Sequence, residues 1–276
     1  MAEPVKARLA DLKIGFIGVG NMGGAIIRGL LGGGHVPREN LVFYDPDPAR
    51  QAQMAELGVE AALDNAEVMH APVVLLGVKP QILAKVLAEI KEFGRPWHLI
   101  ISIAAGVALK TLEEALPATR VIRVMPNAPT LVGAGMAALA PGSGTTPDDL
   151  ALALDLFRAV GQAVVVEERL MDAVTGLSGS GPAFVAVFIE ALTDGGVKMG
   201  LSRPLAHTMA VQTVMGAARL CQEEKLHPAL MKDLVTSPGG TTIAGLHALE
   251  SSGFRGAVMD AVSAAAERSK ELAGMS

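Results

Sequence analysis

The stretch Lys13-Ile14-Gly15-Phe16-Ile17-Gly18-Val19-Gly20-Asn21-Met22-Gly23 decides the fold. Ile14, Phe16 and Ile17 read as a short buried strand, and Met22–Leu31 reads as a helix. Between them stands G-x-G-x-x-G. With 31 glycines in 276 residues the pattern alone is weak. A strand before it and a helix after it make it a dinucleotide-binding turn. In such a turn Gly18 allows the tight reversal, Gly20 lets backbone approach a pyrophosphate, and Gly23 lets helix and strand pack closely. The helix N-terminus adds unpaired N–H groups and partial positive charge.

Outward from the turn, short apolar runs alternate with longer amphipathic ones, the pattern of βαβ units. Strands are expected at Lys13–Gly18, Leu41–Tyr44, Val73–Val78, Leu99–Ile103 and Arg120–Val124. Helices are expected at Met22–Leu31, Pro48–Leu57, Ile82–Phe93 and Leu109–Leu116. Wholly apolar runs such as Val73-Val74-Leu75-Leu76 suit a parallel sheet covered on both faces. Gly135–Ala140 and Ala163–Val166, flanking a helix from Pro147 to Val160, extend that sheet. Beyond Glu168 the strand signal stops. Helices are read at Leu170–Leu177, Ala183–Met199, Arg203–Glu224, Pro228–Val235, Thr241–Ser251 and Phe254–Ala273, with turns at 178–182, 199–200 and 237–240. The expected class is α/β: a Rossmann domain over residues 1–168, then an all-helical domain over 169–276.

Composition narrows the function. Half the residues are hydrophobic, 3% are aromatic, and the net charge is −5. Such a chain offers neither phosphate attraction nor stacking platforms for nucleic acid. Cys221 is the single cysteine, so no intrachain disulfide can form, which suits a cytosolic or organellar-matrix protein; a cytoplasmic location is expected. Met1–Leu12 is charged and lacks the apolar core of a secretory signal. The charge-free run 124–147 is broken by prolines and glycines, so no membrane span is expected there. His35, His70, His98, His207, His227 and His247 lack metal-ligand spacing, so no metal is expected.

Two polar residues fall where a dinucleotide would lie. Asp45 ends the second strand, 22 positions after Gly23, where an acid commonly binds the adenine ribose. Asp45-Pro46-Asp47-Pro48 also reads as a turn and helix cap with Pro48 at the first helical position. Lys79, after the fourth strand, sits at the ligand-binding end of the sheet; an ordinary exposed lysine reads the same way.

The helical half carries longer strings: Asp172-Ala173-Val174-Thr175-Gly176-Leu177-Ser178-Gly179-Ser180-Gly181-Pro182-Ala183, Asp194-Gly195-Gly196-Val197-Lys198-Met199-Gly200 and Ser237-Pro238-Gly239-Gly240-Thr241-Thr242-Ile243. With Ile101-Ser102-Ile103-Ala104-Ala105-Gly106-Val107 and Met125-Pro126-Asn127-Ala128-Pro129, they closely resemble the pyrroline-5-carboxylate reductase family over almost the whole chain. The resemblance implies NADPH- or NADH-dependent reduction of the cyclic imine pyrroline-5-carboxylate to L-proline. It implies a helical domain that forms a homodimer, often built into larger rings. It assigns Asn21 and Met22 to the pyrophosphate turn and Asn65 to the adenosine ribose. Val78, Lys79, Pro80, Ala104 and Ala105 fall on the nicotinamide side. Ser237, Gly239, Gly240, Thr241 and Thr242 form the substrate loop. Two departures stand out. At Asp45 many relatives carry a small hydroxylated residue suited to a 2′-phosphate, so Asp45 implies a bias toward NADH. Before His227-Pro228 relatives often read Glu-Gln, where this chain has Lys225-Leu226.

The chemistry suits the loop. A protonated imine is already an electrophile and becomes a neutral amine as hydride arrives, so orientation matters more than acid catalysis. The loop accordingly holds no His, Lys, Asp or Glu. Its bare N–H groups can take the substrate carboxylate, and Thr242 is the candidate catalytic residue, orienting the ring nitrogen. The plain alternative is a turn in which Thr242 is only a helix residue. A β-hydroxyacid dehydrogenase would place asparagine four residues after a catalytic lysine; Lys198 is followed there by Ser202. A silent dinucleotide-binding protein would not need the substrate loop.

Overall fold

A computed structural model describes residues 9–274. Residues 1–8, read above as part of a charged N-terminus, lie outside the described residues. The chain packs as two compact units, 1–179 with 265–276, and 180–264.

The first unit is built on one eight-stranded sheet. Its strands are β1 (Ile14–Ile17), β2 (Leu41–Tyr44), β3 (Glu60–Ala61), β4 (Val73–Leu76), β5 (Leu99–Ser102), β6 (Arg120–Met125), β7 (Gly135–Pro141) and β8 (Gly161–Val165). They run in the order β3-β2-β1-β4-β5-β6-β7-β8. All pairs are parallel except β6 with β7. The order reverses beside β1, the place where open α/β sheets bind ligands. Helices α1 (Asn21–Gly32), α2 (Pro48–Glu56), α3 (Asn65–Val68), α4 (Pro80–Ile90), α5 (Leu109–Ala115) and α6 (Pro147–Arg158) connect the strands. As read from the sequence, β7 and β8 extend the sheet around α6.

Side-chain alternation divides the core between the two faces. Val73 and Leu75 of β4, Leu99 and Ile101 of β5, and Ile122 and Val124 of β6 join one apolar cluster. Val74, Leu76, Ile100 and Val121 join the other. The period of two puts neighbours on opposite faces, and both faces are covered, so β4 is apolar throughout and β5 nearly so.

Past β8 lie α7 (Met171–Val174), a π turn (Thr175–Gly179), and then α8 (Gly181–Lys198). The turn expected at 178–182 is not a loop. The chain remains helical there with one turn widened, and Asn127 Nδ2 donates to the Ser178 carbonyl at 3.0 Å.

In the second unit α8 and α9 (Arg203–Glu223) pair, with α10 (Pro228–Leu234), α11 (Thr241–Ser251) and most of α12 (Phe254–Gly274). The unit hides little apolar surface. Among its 18 residues α8 buries only Thr193, and α9 buries only Ala206 and Ala210. The end of α12 returns to the first unit, where the Ser269 hydroxyl donates to Asp172 Oδ1 at 2.7 Å.

Candidate functional site

The first unit has a cleft of about 740 Å³ at the carboxyl ends of β1, β2 and β4. Gly18, Gly20, Asn21, Met22, Asp45, Asn65, Val78 and Lys79 line it together. Gly23, Pro80, Ala104 and Ala105 do not line it. Gly23 lies under the turn: a Cβ there would meet the Gly18 carbonyl oxygen at 2.6 Å. Gly18 itself has φ +86°, a conformation that disfavours any side chain. Pro80 opens α4. Ala104 and Ala105 follow β5, alongside β4, with Ala104 buried and Ala105 exposed.

Asp45 is tied to the turn. Its Oδ2 accepts the Val19 N–H at 2.9 Å, and its Oδ1 accepts the Asp47 N–H at 3.0 Å. Arg50 Nη1 stands 3.3 Å from the same Oδ2. The helix cap is Asp47, whose Oδ1 accepts the Ala49 N–H at 2.9 Å, with Pro48 in the first turn. Asn65 is buried, and its Nδ2 donates to Glu89 Oε2 at 2.6 Å. Its Oδ1 is buried without a hydrogen-bond partner.

Sequence reading did not single out Ile82, Lys85, Val86 and Glu89, which also line the cleft. Their i, i+3, i+4, i+7 spacing puts them on one stripe of α4, a signal present in the sequence. The contact between Asn65 and Glu89, 24 residues apart, had no such signal.

In the second unit the loop Ser237–Gly240 precedes α11. Gly239 has φ +63°, and Gly240 is the N-cap without a side-chain cap bond. Gly240 N–H donates to the Ser237 carbonyl at 3.1 Å. Thr241 is exposed and Thr242 half-buried, in the first turn. The arrangement presents backbone N–H groups and a hydroxyl with no charged side chain in the loop. Lys225 takes a left-handed conformation, φ +51°, just after α9. No group of three or more metal-ligating side chains stands together among the described residues.

A family model described as pyrroline-5-carboxylate reductase dimerisation matches residues 168–272, and one described as NADP oxidoreductase coenzyme F420-dependent matches 13–106. The chain is 51% identical to the pyrroline-5-carboxylate reductase of Methanosarcina acetivorans, over 96% of this chain and 99% of that one. The chain belongs to the pyrroline-5-carboxylate reductase family. Solved members of the family share its fold. The Coxiella burnetii pyrroline-5-carboxylate reductase superposes with a TM-score of 0.91 at 35% identity, covering 95% of this chain and 98% of that one. The Plasmodium falciparum pyrroline carboxylate reductase, with NADP bound, superposes with a TM-score of 0.84 at 34% identity, covering 96% and 99%. The pyrroline-5-carboxylate reductase dimerisation match takes in the helical run Glu168–Lys198, which spans α7, the π turn and α8 and is by length and composition apolar enough to cross a membrane.

Proposed function

We propose that the chain reduces pyrroline-5-carboxylate to L-proline with NADH or NADPH, the final step of proline biosynthesis. The observation that carries this reading is 51% identity to a pyrroline-5-carboxylate reductase across both units, substrate loop included. The cleft suits a dinucleotide: Gly18 and Gly20 give backbone access, the start of α1 supplies N–H groups, and Asn65 lines the wall. When bound, the dinucleotide supplies the hydride. In the proposed division residues 1–168 hold the dinucleotide, while residues 169–276 hold the substrate and dimerise.

The second unit's own groups bind and orient. N–H groups at the start of α11 take the substrate carboxylate, each such bond contributing roughly 1.5–3 kcal/mol to an anion. Gly239 and Gly240 keep side chains out of the way. The Thr242 hydroxyl holds the ring nitrogen, whose proton stays on as the imine becomes an amine. No side chain has to surrender a proton for the hydride step, which matches a loop without titratable groups.

Asp45 favours NADH over NADPH. A second charge about 4 Å away costs about 4 kcal/mol at an effective dielectric near 20, before screening. Arg50 offsets part of this through its contact with Asp45. The working form is a dimer or a ring of dimers, in the cytoplasm. The test is NADH and NADPH oxidation with pyrroline-5-carboxylate set against a panel of hydroxyacids. Imine-dependent oxidation with the higher kcat/KM for NADH is expected; turnover of a hydroxyacid alone would overturn the assignment.

A further inference from the structure

Three charged groups crowd the end of the cleft where β2 meets α2, and they are not equally free to meet a ligand. Asp45, with 4% of its side chain exposed, is fixed by the Val19 and Asp47 N–H groups. Asp47 uses Oδ1 to cap α2 and leaves Oδ2 to Arg50 Nε at 3.4 Å. Arg50 bridges the two carboxylates, with Nη1 3.3 Å from Asp45. Both distances exceed the roughly 2.7–2.9 Å of tight charge-assisted bonds, and 39% of the Arg50 side chain is exposed. Its Nη1 also stands 3.1 Å from the place a Cβ on Gly20 would occupy. The cation therefore overhangs the glycine turn.

Arg50 lines the cleft beside Gly20, within reach of a dinucleotide held on the glycine turn. We propose that Arg50 exchanges Asp45 and Asp47 for the ribose 2′-phosphate of NADPH, and that Asp47, by competing for Arg50, tunes the NADH bias that Asp45 establishes. Asp45 is unsuited to that tuning role because its loss would release the Val19 N–H and slacken the turn. Asp47 is half exposed and holds Arg50 only through Oδ2, at the longer distance of 3.4 Å. With Asp45, Asp47 and Arg50 together the site carries a formal charge of −1. A free 2′-hydroxyl tolerates that charge and a phosphate opposes it. The inference rests on the dinucleotide-binding part of the proposed function and is independent of which imine is reduced.

The experiment is a fluorescence titration of NADH and NADPH, without imine, on the full chain and on Asp47→Asn and Arg50→Ala. Asparagine keeps the cap acceptor for α2, so melting temperature should hold while the charge is lost. Asp47→Asn should tighten NADPH about fivefold and leave NADH within about twofold, a modest shift because the group is half exposed. Arg50→Ala should weaken NADPH about tenfold more than NADH, as expected for loss of a charge-assisted contact. Equal weakening of both dinucleotides by Arg50→Ala would assign Arg50 to the shared pyrophosphate and overturn the proposal. So would an unchanged affinity ratio in Asp47→Asn. A parent chain that binds both dinucleotides here but oxidises neither once the imine is added would overturn the substrate reading alone; one that binds neither would overturn both.

Discussion

Thr242 is the second residue of α11, and the N-cap position belongs to Gly240. Helix capping and imine orientation are therefore separable at this residue. Thr242→Ala should lower kcat roughly tenfold to a hundredfold, the value of one orienting bond of about 1–3 kcal/mol. Dinucleotide Kd should not change, and melting temperature should move by no more than about 2 °C. Valine should do the same harm, because it keeps the branched shape and drops only the hydroxyl. Parent-like turnover by the alanine variant would remove Thr242 from the site. His98 offers a test away from the chemistry. Burial pushes it below its usual value of 6.5. Its Nδ1 accepts the Arg95 N–H at 2.9 Å, and its Nε2 lies 2.7 Å from the Met69 carbonyl, which can only accept. The ring is thus neutral with its proton on Nε2. A folded-state value below the unfolded one means its contribution is complete above pH 6.5 and is lost as pH falls through the folded value. Melting curves of the parent and His98→Gln across that range should converge on acidification; parallel curves would contradict the assignment. The shared placement of Gly18, Gly20 and Asp45 on one cleft was legible because their spacing is local to one βαβ unit. The bridge from Arg50 to Asp47 and the bond from Asn65 to Glu89 depend on rotamers and tertiary placement, which spacing does not encode.

Among the elements, the long apolar runs were legible and the short or widened ones were not. β3 is two exposed residues, Glu60–Ala61, paired at the sheet edge, and it carries no alternation to detect. Ser178-Gly179-Ser180-Gly181-Pro182 has turn composition, yet the chain stays helical through it. The π turn is supported from within, since the Thr175 hydroxyl donates to the Met171 carbonyl at 2.8 Å and Ser178 to Val174 at 3.1 Å. It is also held from outside. Asn127 joins it to the sheet, donating to the Ser178 carbonyl and accepting the Met136 N–H at 2.8 Å. Asn127→Ala leaves both backbone groups unpaired and should cost about 1–3 kcal/mol. Asn127→Asp should be worse, because it keeps the acceptor but turns a carboxylate toward the Ser178 carbonyl. Urea midpoints at one fixed protein concentration check both; unchanged midpoints would show that Asn127 does not brace the turn.

For the whole molecule, the two units differ in how they satisfy their apolar surface. The first unit encloses its core on both faces of the sheet. The second leaves Val187 65% exposed and Met259 69% exposed, with an apolar groove of about 620 Å³ lined by α8 and α9. A monomer rarely leaves so many large apolar side chains exposed on one set of helices, whereas a permanent dimer buries them. The match to a dimerisation domain covers the same residues. Composition announced the surplus at Ala183–Leu192 and Ala257–Ala266, but sequence alone does not tell intersubunit from intrasubunit burial. Light scattering should find active material only at a multiple of two chains of 28.4 kDa. An active monomer at assay concentration would refute an obligate dimer. Reduction of the cyclic imine is read from product stoichiometry. The purified chain is incubated with pyrroline-5-carboxylate and either NADH or NADPH, and proline is quantified against dinucleotide oxidised. One proline per dinucleotide is the predicted result. Dinucleotide oxidation without proline, or none that depends on the imine, would contradict it.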